Sequence, residues 1–368
     1  MRYLFAGGGT GGHIFPAIAI ADEVKKIDKE AEILFIGAKG RIEEKIVPSN
    51  NYRLETIDIT GFDRSAINKN VSLPYKFISA LVRCRRILKD FKPDVVIGTG
   101  GFVCGPVVYV ANRMKIPTLI QEGNLFAGRT IKFLAVKSDR VVINFDETRN
   151  YLKRKDNIIK ISHPIRSSLK RSNKQKALEY FSLPEDKKTV FIFGGSQGAK
   201  GINNGIEKIV KRLFQNDLNV IWQTGNSDHE RLSKEFERLK DRVKILEFID
   251  NIDHAYSASD IVICRAGITS IMEIAYLGMA SILIPLPTSA ENHQELNARS
   301  LANKEAAILV LQNEIEKKLF DEIINLLRDE KKILRMKEEV KNFSDSEAAA
   351  KIASEAIKLT IGNVGKSL

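Results

Sequence analysis

The chain has 368 residues, 43% of them hydrophobic and 28% charged, with a formal net charge of +12. That balance fits a globular protein rather than a disordered one, and the length exceeds what one hydrophobic core usually holds, so two domains are expected. The basic excess favours an acidic partner, whether nucleic acid, an anionic membrane surface or a phosphorylated substrate, without choosing among them.

From the N-terminus, the apolar run YLFA predicts a strand, GGGTGGHIFP (Gly7–Pro16) a glycine turn, and AIAIADEVKK the body of an amphipathic helix. A strand that turns through glycines into a helix gathers unpaired backbone N–H groups at the positive end of the helix dipole, and such a corner binds anions, usually phosphate. A tight turn with no ligand fits the same residues. Gly7, Gly9 and Gly12 also spell G-x-G-x-x-G, but the second strand, EILFIGAKG, ends in Gly37, Ala38 and Lys39, where a dinucleotide site needs an acid for the ribose. That absence argues against a nicotinamide cofactor. His13 stands at the helix start, where the dipole favours the neutral imidazole that a general base requires; a plain polar helix-start group is the alternative.

The segment Lys69–Lys92 mixes Phe77, Ile78, Leu81, Val82, Ile87 and Leu88 with Lys76, Arg83, Arg85, Arg86 and Lys89. Such a helix suits a membrane surface, and equally a core-facing helix with a solvated basic face. DVVIGTGG, TLIQE and RVVIN continue an alternation of strands and helices that implies a parallel sheet. After IIKISHPIR the alternation resumes with TVFIFGGSQGA, NVIWQTG, VKILEF, DIVICRAG, ASILIPLP and AAILVL. Two Rossmann-like α/β domains are therefore predicted, at residues 1–163 and 164–342, joined near Ser162 to Arg166. KRSNKQK opens the first helix of the second domain, and a final helix at about 343–368 is expected to pack back on the first.

In the second half, GGSQGAKGINN (Gly194–Asn204) repeats the phosphate-cradle pattern and adds the Ser196 hydroxyl as a donor. CRAGITSIMEIAYLG (Cys264–Gly278) reads as strand, turn and helix, with Ser270 and Glu273 in the first turns of the helix. An acid there either compensates the dipole or accepts hydrogen bonds from a ribose. PTSAENHQELNA (Pro287–Ala298) offers Asn292, His293, Gln294 and Asn297, groups that suit sugar hydroxyls or a polar helix N-terminus. Cys84, Cys104 and Cys264 lie far apart in no metal-type spacing, which predicts reduced, packed thiols. No apolar run reaches the roughly 18 residues of a membrane span, and MRYLFAGGG is too short for a signal peptide, so a cytoplasmic protein is expected.

In this order, GGTGGHIFPAIAIA, GTGGFVCGP, IQEGNLFAG, HPIR, GGSQGA, FIDNIDHAYSASDIVICRAG and NHQELNA resemble the MurG family, the peptidoglycan N-acetylglucosaminyltransferases that convert lipid I to lipid II. The resemblance implies a GT-B glycosyltransferase of two domains facing each other across a cleft. It would use UDP-N-acetylglucosamine with inversion of the anomeric centre. Its acceptor would be lipid I, the undecaprenyl-diphosphate-linked muramoyl peptide, reached from the cytoplasmic face of the membrane, with peptidoglycan synthesis, cell shape and division as the setting. By match to the family motifs, Thr10, Gly11 and Gly12 would lie at the donor sugar and diphosphate, and Asn124 at the sugar. Arg166 and Ser196 would hold the diphosphate, and Ile249 would pack on uracil through its backbone. The nucleotide would be lined by Ala266, Gly267 and Ser270, with Glu273 at the ribose and Gln294 on sugar hydroxyls. His13 and Glu122 are the general-base candidates.

The sequence departs from the family in having QEGN for HEQN, SHPIR for GNPVR, and Ser270 for a threonine. It carries nothing like the paired aspartates that hold metal in other nucleotide-sugar enzymes, so no metal cofactor is required and magnesium is not implied. A UDP-N-acetylglucosamine 2-epimerase shares the two-domain plan and the donor, and is the alternative reading. A nucleic-acid-binding protein would show an aromatic-interleaved basic strand or a helix-turn-helix signature, and neither is present.

Overall fold

The computed structural model describes residues 1–61, 73–166, 169–195 and 198–364, the last three by backbone alone. Ser196 and the start of the basic segment, Lys69 to Ser72, lie outside these residues. The chain divides into two compact units, Met1–Ser167 with Asp345–Leu368, and Ser168–Ser344.

The first unit alternates β1 (Arg2–Gly7), α1 (Gly11–Ile27), β2 (Glu32–Ala38), α2 (Glu43–Ser49), β3 (Arg53–Ile57), α3 (Leu73–Phe91), β4 (Val95–Gly100), α4 (Gly101–Arg113), β5 (Thr118–Glu122), α5 (Arg129–Leu134), β6 (Arg140–Ile143) and β7 (Ile158–Lys160). Its seven strands pair in parallel in the order β3-β2-β1-β4-β5-β6-β7, so the strand order reverses between β1 and β4. β1, β2, β4, β5 and β6 are covered on both faces and bury nearly every side chain, which is why these segments read as apolar runs. The pleat sends alternate residues to opposite faces. Leu4, Ala6 and Val96 join a core with α3, α4 and α5, whereas Tyr3, Phe5 and Val95 join another with α1.

Helix α3 has a buried side and an exposed side. Ala80, Cys84, Ile87 and Leu88 are buried. By helical spacing Tyr75, Ile78 and Val82 fall on the opposite side with Arg85, Arg86 and Lys89, and the three apolar residues are 77%, 61% and 67% exposed.

The second unit runs through α6 (Lys174–Tyr180), β8 (Thr189–Phe193), α7 (Lys200–Gln215), β9 (Asn219–Gln223), α8 (Asn226–Glu235), β10 (Val243–Leu246), α9 (Ile252–Ala258), β11 (Ile261–Cys264), α10 (Ile268–Leu277), β12 (Ala280–Leu283), α11 (His293–Ala302), β13 (Ile308–Leu309), α12 (Phe320–Arg328) and α13 (Glu330–Lys341). Asn173 caps α6, its Oδ1 accepting from the amides of Gln175 (2.8 Å) and Lys176 (3.3 Å). The six strands are parallel in the order β10-β9-β8-β11-β12-β13, which places the reversal between β8 and β11. The last helix, α14 (Ala348–Val364), belongs to the first unit, where Ile352, Ala353 and Ala356 are buried in the α1 core.

Candidate active site

In open parallel sheets, ligands bind beyond the carboxyl ends of the strands that flank the reversal of order. In the first unit those ends are Gly7–Gly12 after β1 and Gly100–Gly101 after β4. Gly101 has φ +78°, and a Cβ there would lie 2.1 Å from the Gly8 carbonyl oxygen, so the two turns meet in a way only glycine permits. The contact is fastened through His13, the third residue of α1. The Thr99 hydroxyl donates to the His13 carbonyl at 2.7 Å, and His13 Nδ1 lies 3.1 Å from the Thr99 carbonyl oxygen. A carbonyl can only accept, so Nδ1 carries the proton, and in the neutral ring Nε2 holds the lone pair that a base needs. Thr10 is the exposed N-cap residue of α1, and Gly11 and Gly12 form its first turn. The Arg166 guanidinium stacks 4.9 Å from the Phe15 ring centre, which brings it to the same helix start.

Gly9, at φ +88°, donates its N–H to Glu43 Oε1 at 2.7 Å. Glu43 is fully buried, and the same oxygen accepts from the Ala38 amide at 3.3 Å. One of the amides that the sequence offers to an anion is therefore taken by a carboxylate beneath the loop. Nothing in the local sequence marks Glu43: it lies a few residues past the end of β2 and only the fold brings it back under the glycines.

Glu122 ends β5 and is buried. Its Oε1 accepts from the backbone N (2.9 Å) and the side-chain Nδ2 (3.0 Å) of Asn124, and Oε2 accepts from the Gly128 amide at 2.9 Å. The carboxylate thus organises the loop that carries Asn124. Next to it, Gln121 Nε2 donates to His163 Nδ1 at 2.8 Å, and the His163 amide donates to Asn144 Oδ1 at 2.8 Å. Burial, with the charge of His13 adding to it, pushes the His163 imidazole down to about 3, so it is neutral. Two of the departures from the family pattern, Gln121 and His163, are direct partners.

In the second unit, Ala266 and Gly267 form the turn from β11 into α10, and Ser270 lies in the first turn of that helix. Glu273 is buried and stands beyond that turn, which contains no acid, so the helix dipole does not account for it. The Tyr256 hydroxyl donates to Glu273 Oε2 at 3.0 Å. Gln294 Oε1 accepts from the Leu286 amide at 2.9 Å, and Asn297 Nδ2 donates to the Ala266 carbonyl at 3.4 Å. Two further groups went unread in the sequence. Arg265 is buried and ties Ile284 O (3.2 Å), Pro285 O (3.0 Å) and Gln312 Oε1 (2.6 Å) together, with burial lowering its guanidinium to about 10. Gln223 donates from Nε2 to the Gly195 carbonyl at 2.9 Å and accepts on Oε1 from the Ile249 amide at 3.0 Å.

Residues 3–143 match the glycosyltransferase family 28 N-terminal domain, and residues 189–353 the glycosyltransferase family 28 C-terminal domain. The chain is 41% identical over 360 residues to the UDP-N-acetylglucosamine–N-acetylmuramyl-(pentapeptide) pyrophosphoryl-undecaprenol N-acetylglucosamine transferase of Caldanaerobacter subterraneus subsp. tengcongensis, covering 96% of this chain and 98% of that one. It is 39% identical over 356 residues to the protein of the same name from Acetivibrio thermocellus, with 96% of each chain covered. The crystal structure of Acinetobacter baumannii MurG is similar with a TM-score of 0.76 at 25% identity, over 97% of this chain and 99% of that chain. Two parallel-sheet α/β units with this neighbour are the GT-B glycosyltransferase fold. Since the identity of about 40% runs over nearly the whole length, the chain belongs to the MurG family of N-acetylglucosamine transferases, within glycosyltransferase family 28.

Proposed function

We propose that the protein transfers N-acetylglucosamine from UDP-N-acetylglucosamine to the 4-hydroxyl of the muramoyl unit of lipid I, giving lipid II with inversion at the anomeric carbon. Family membership along nearly the whole chain carries this reading. His13 acts as the base. Its Nε2 takes the hydroxyl proton while that oxygen bonds to C1 of the sugar, and the C1–O bond to the diphosphate breaks, releasing UDP with the bonding pair. Proton transfer of this kind contributes about 100-fold to 10,000-fold. The bond from His13 Nδ1 to Thr99 supports the choice, because it aims the basic nitrogen. Three N–H donors on Glu122 support a positioning role there, with Asn124 held toward the donor sugar.

In the second unit, Glu273 binds the ribose, Ile249 meets uracil through its backbone, and Gln294 takes sugar hydroxyls. Arg166 and Ser196 hold the departing diphosphate together with the amides of the glycine turns, and stabilisation by such fixed donors is often the largest catalytic contribution. The exposed side of α3 docks on the anionic inner face of the membrane, where each Lys or Arg is worth about 1 kcal/mol. Its apolar residues, together with Phe133 of α5 at 66% exposure, enter the headgroup layer. Among the described residues, no helix is long and apolar enough to cross a membrane.

Incubation with labelled UDP-N-acetylglucosamine and a lipid I analogue tests the reaction, and a labelled disaccharide lipid is expected. Turnover of the donor to an epimer without any acceptor would instead favour the 2-epimerase reading.

A further inference from the structure

We infer that Glu43 is a positioning residue that fixes the first glycine turn on the sheet and, through it, the place of His13, a role that rests on the reading of His13 as the base. Glu43 opens α2, yet its side chain is fully buried and turned under the glycines. Oε1 accepts from the Gly9 amide at 2.7 Å and from the Ala38 amide at 3.3 Å, so one oxygen joins the turn after β1 to the end of β2. The backbone is bared to admit it. A Cβ on Gly8 would lie 1.9 Å from Oε1, and one on Gly37 would lie 2.9 Å from the Glu43 Cβ. From the other side Phe102, in the first turn of α4, presses on the same turn: a Cβ on Gly9 would come within 2.5 Å of its ring. The turn is thus clamped between two helices, at a glycine whose φ of +88° suits few other residues.

Packing alone does not require a carboxylate at this position. Oε2 is buried and meets no hydrogen-bond partner among the described residues, and a half-satisfied acid in a core is costly. A methionine would fill similar space without that cost. What the carboxylate supplies is a charge-assisted N–H bond, shorter and stronger than a neutral one, at the residue where the turn leaves the sheet. From Gly9 the link to the base is short. Thr10 caps α1, and its carbonyl accepts from the His13 amide at 3.2 Å and the Ile14 amide at 3.3 Å. Thr99 grips the His13 ring and carbonyl from β4, and Glu43 grips Gly9 from α2, so the two ends of the segment Gly9–His13 are held by different elements. Releasing Gly9 leaves that segment tethered at one end, and a reacting group displaced by about 1 Å can lose on the order of 100-fold in rate.

Steady-state transfer from UDP-N-acetylglucosamine to a water-soluble lipid I analogue tests this in the full-length protein, Glu43→Gln and Glu43→Met, with thermal unfolding recorded for each. Glu43→Gln keeps an acceptor but not the charge, and should lower kcat on the order of 10-fold. Glu43→Met keeps the volume without an acceptor, and should lower kcat on the order of 100-fold. The decisive variant combines Glu43→Gln with His13→Asn. A residue that acts through His13 has nothing left to position once the imidazole is gone, so the double variant should turn over no more slowly than His13→Asn alone; losses that multiply would overturn the inference. Turnover within about twofold of the parent in both single variants, with only a lowered melting temperature, would reduce Glu43 to a core residue and overturn it as well. Should Glu43→Met fail to fold, Glu43→Gln and the double variant decide alone. A loss of about tenfold or less in His13→Asn would instead overturn the base assignment itself.

Discussion

A shift from about pH 7.5 to about pH 5.5 loads a proton onto residue 163 of the unfolded chain but not onto the folded one. His163 is neutral when folded because burial, followed by the charge of His13, lowers its imidazole from 6.5 to about 3. Its folded value lies below the unfolded one, so its contribution to stability is fully present above about pH 6.5 and is lost progressively as the pH falls toward 3. Between about pH 7.5 and pH 5.5 the loss is about 1.4 kcal/mol. For a domain of this size that lowers the melting temperature by roughly 3–5 °C. His163→Asn keeps an amide oxygen to accept from Gln121 and removes the titrating group. The variant starts less stable, but its pH slope should be flatter than that of the parent by the same amount. Thermal unfolding of both proteins at the two pH values, followed by near-ultraviolet circular dichroism, supplies the comparison. Carboxylates common to both cancel in it. Parallel slopes would mean that His163 is solvated or protonated in the native state, and that the Gln121–His163 bond has been misread.

His13→Asn should lower kcat at least about 100-fold with the melting temperature little changed; a loss of tenfold or less would move the basic role to Glu122. Glu273→Gln keeps an acceptor for Tyr256 but removes the charge, and should raise the donor KM on the order of 10-fold to 100-fold. An unchanged KM would leave Glu273 as a core residue. Converting Arg85, Arg86 and Lys89 together to Glu, while sparing the Arg83 that pairs with Glu55 at 2.6 Å, should release the protein from anionic vesicles in co-sedimentation. Transfer to a short, water-soluble acceptor should survive in that variant, and retained vesicle binding would send the search for a membrane contact elsewhere.

The strands and the two glycine corners were legible in the sequence because parallel strands covered on both faces write themselves as apolar runs, and a strand-to-helix turn at close quarters writes itself in glycine. What escaped was whatever depends on a partner distant along the chain. Glu43 reaches Gly9 across 34 positions, and Gln223 reaches Gly195 across 28 and Ile249 across 26. No local pattern marks such residues: Glu43 looks like an ordinary acid at a helix start, and Gln223 like the polar end of a strand. The family pattern flagged Gln121 and His163 singly, whereas only the fold shows them bonded to each other. Glu122 is the converse case, a carboxylate whose type suggests proton transfer and which in the fold accepts three N–H bonds from its own loop.

The return of α14 to the first unit has a consequence for how the protein is made. Ile352, Ala353 and Ala356 complete the core over α1, yet they emerge from the ribosome only after the whole of Ser168–Ser344. At about 5–20 residues per second, the nascent first unit waits on the order of ten seconds or more with that apolar face uncovered. During that interval the second unit, contiguous in sequence, can close its own core. The unit begun first is thus the one finished last, and the uncovered face of α1 is where a chaperone would hold the growing chain.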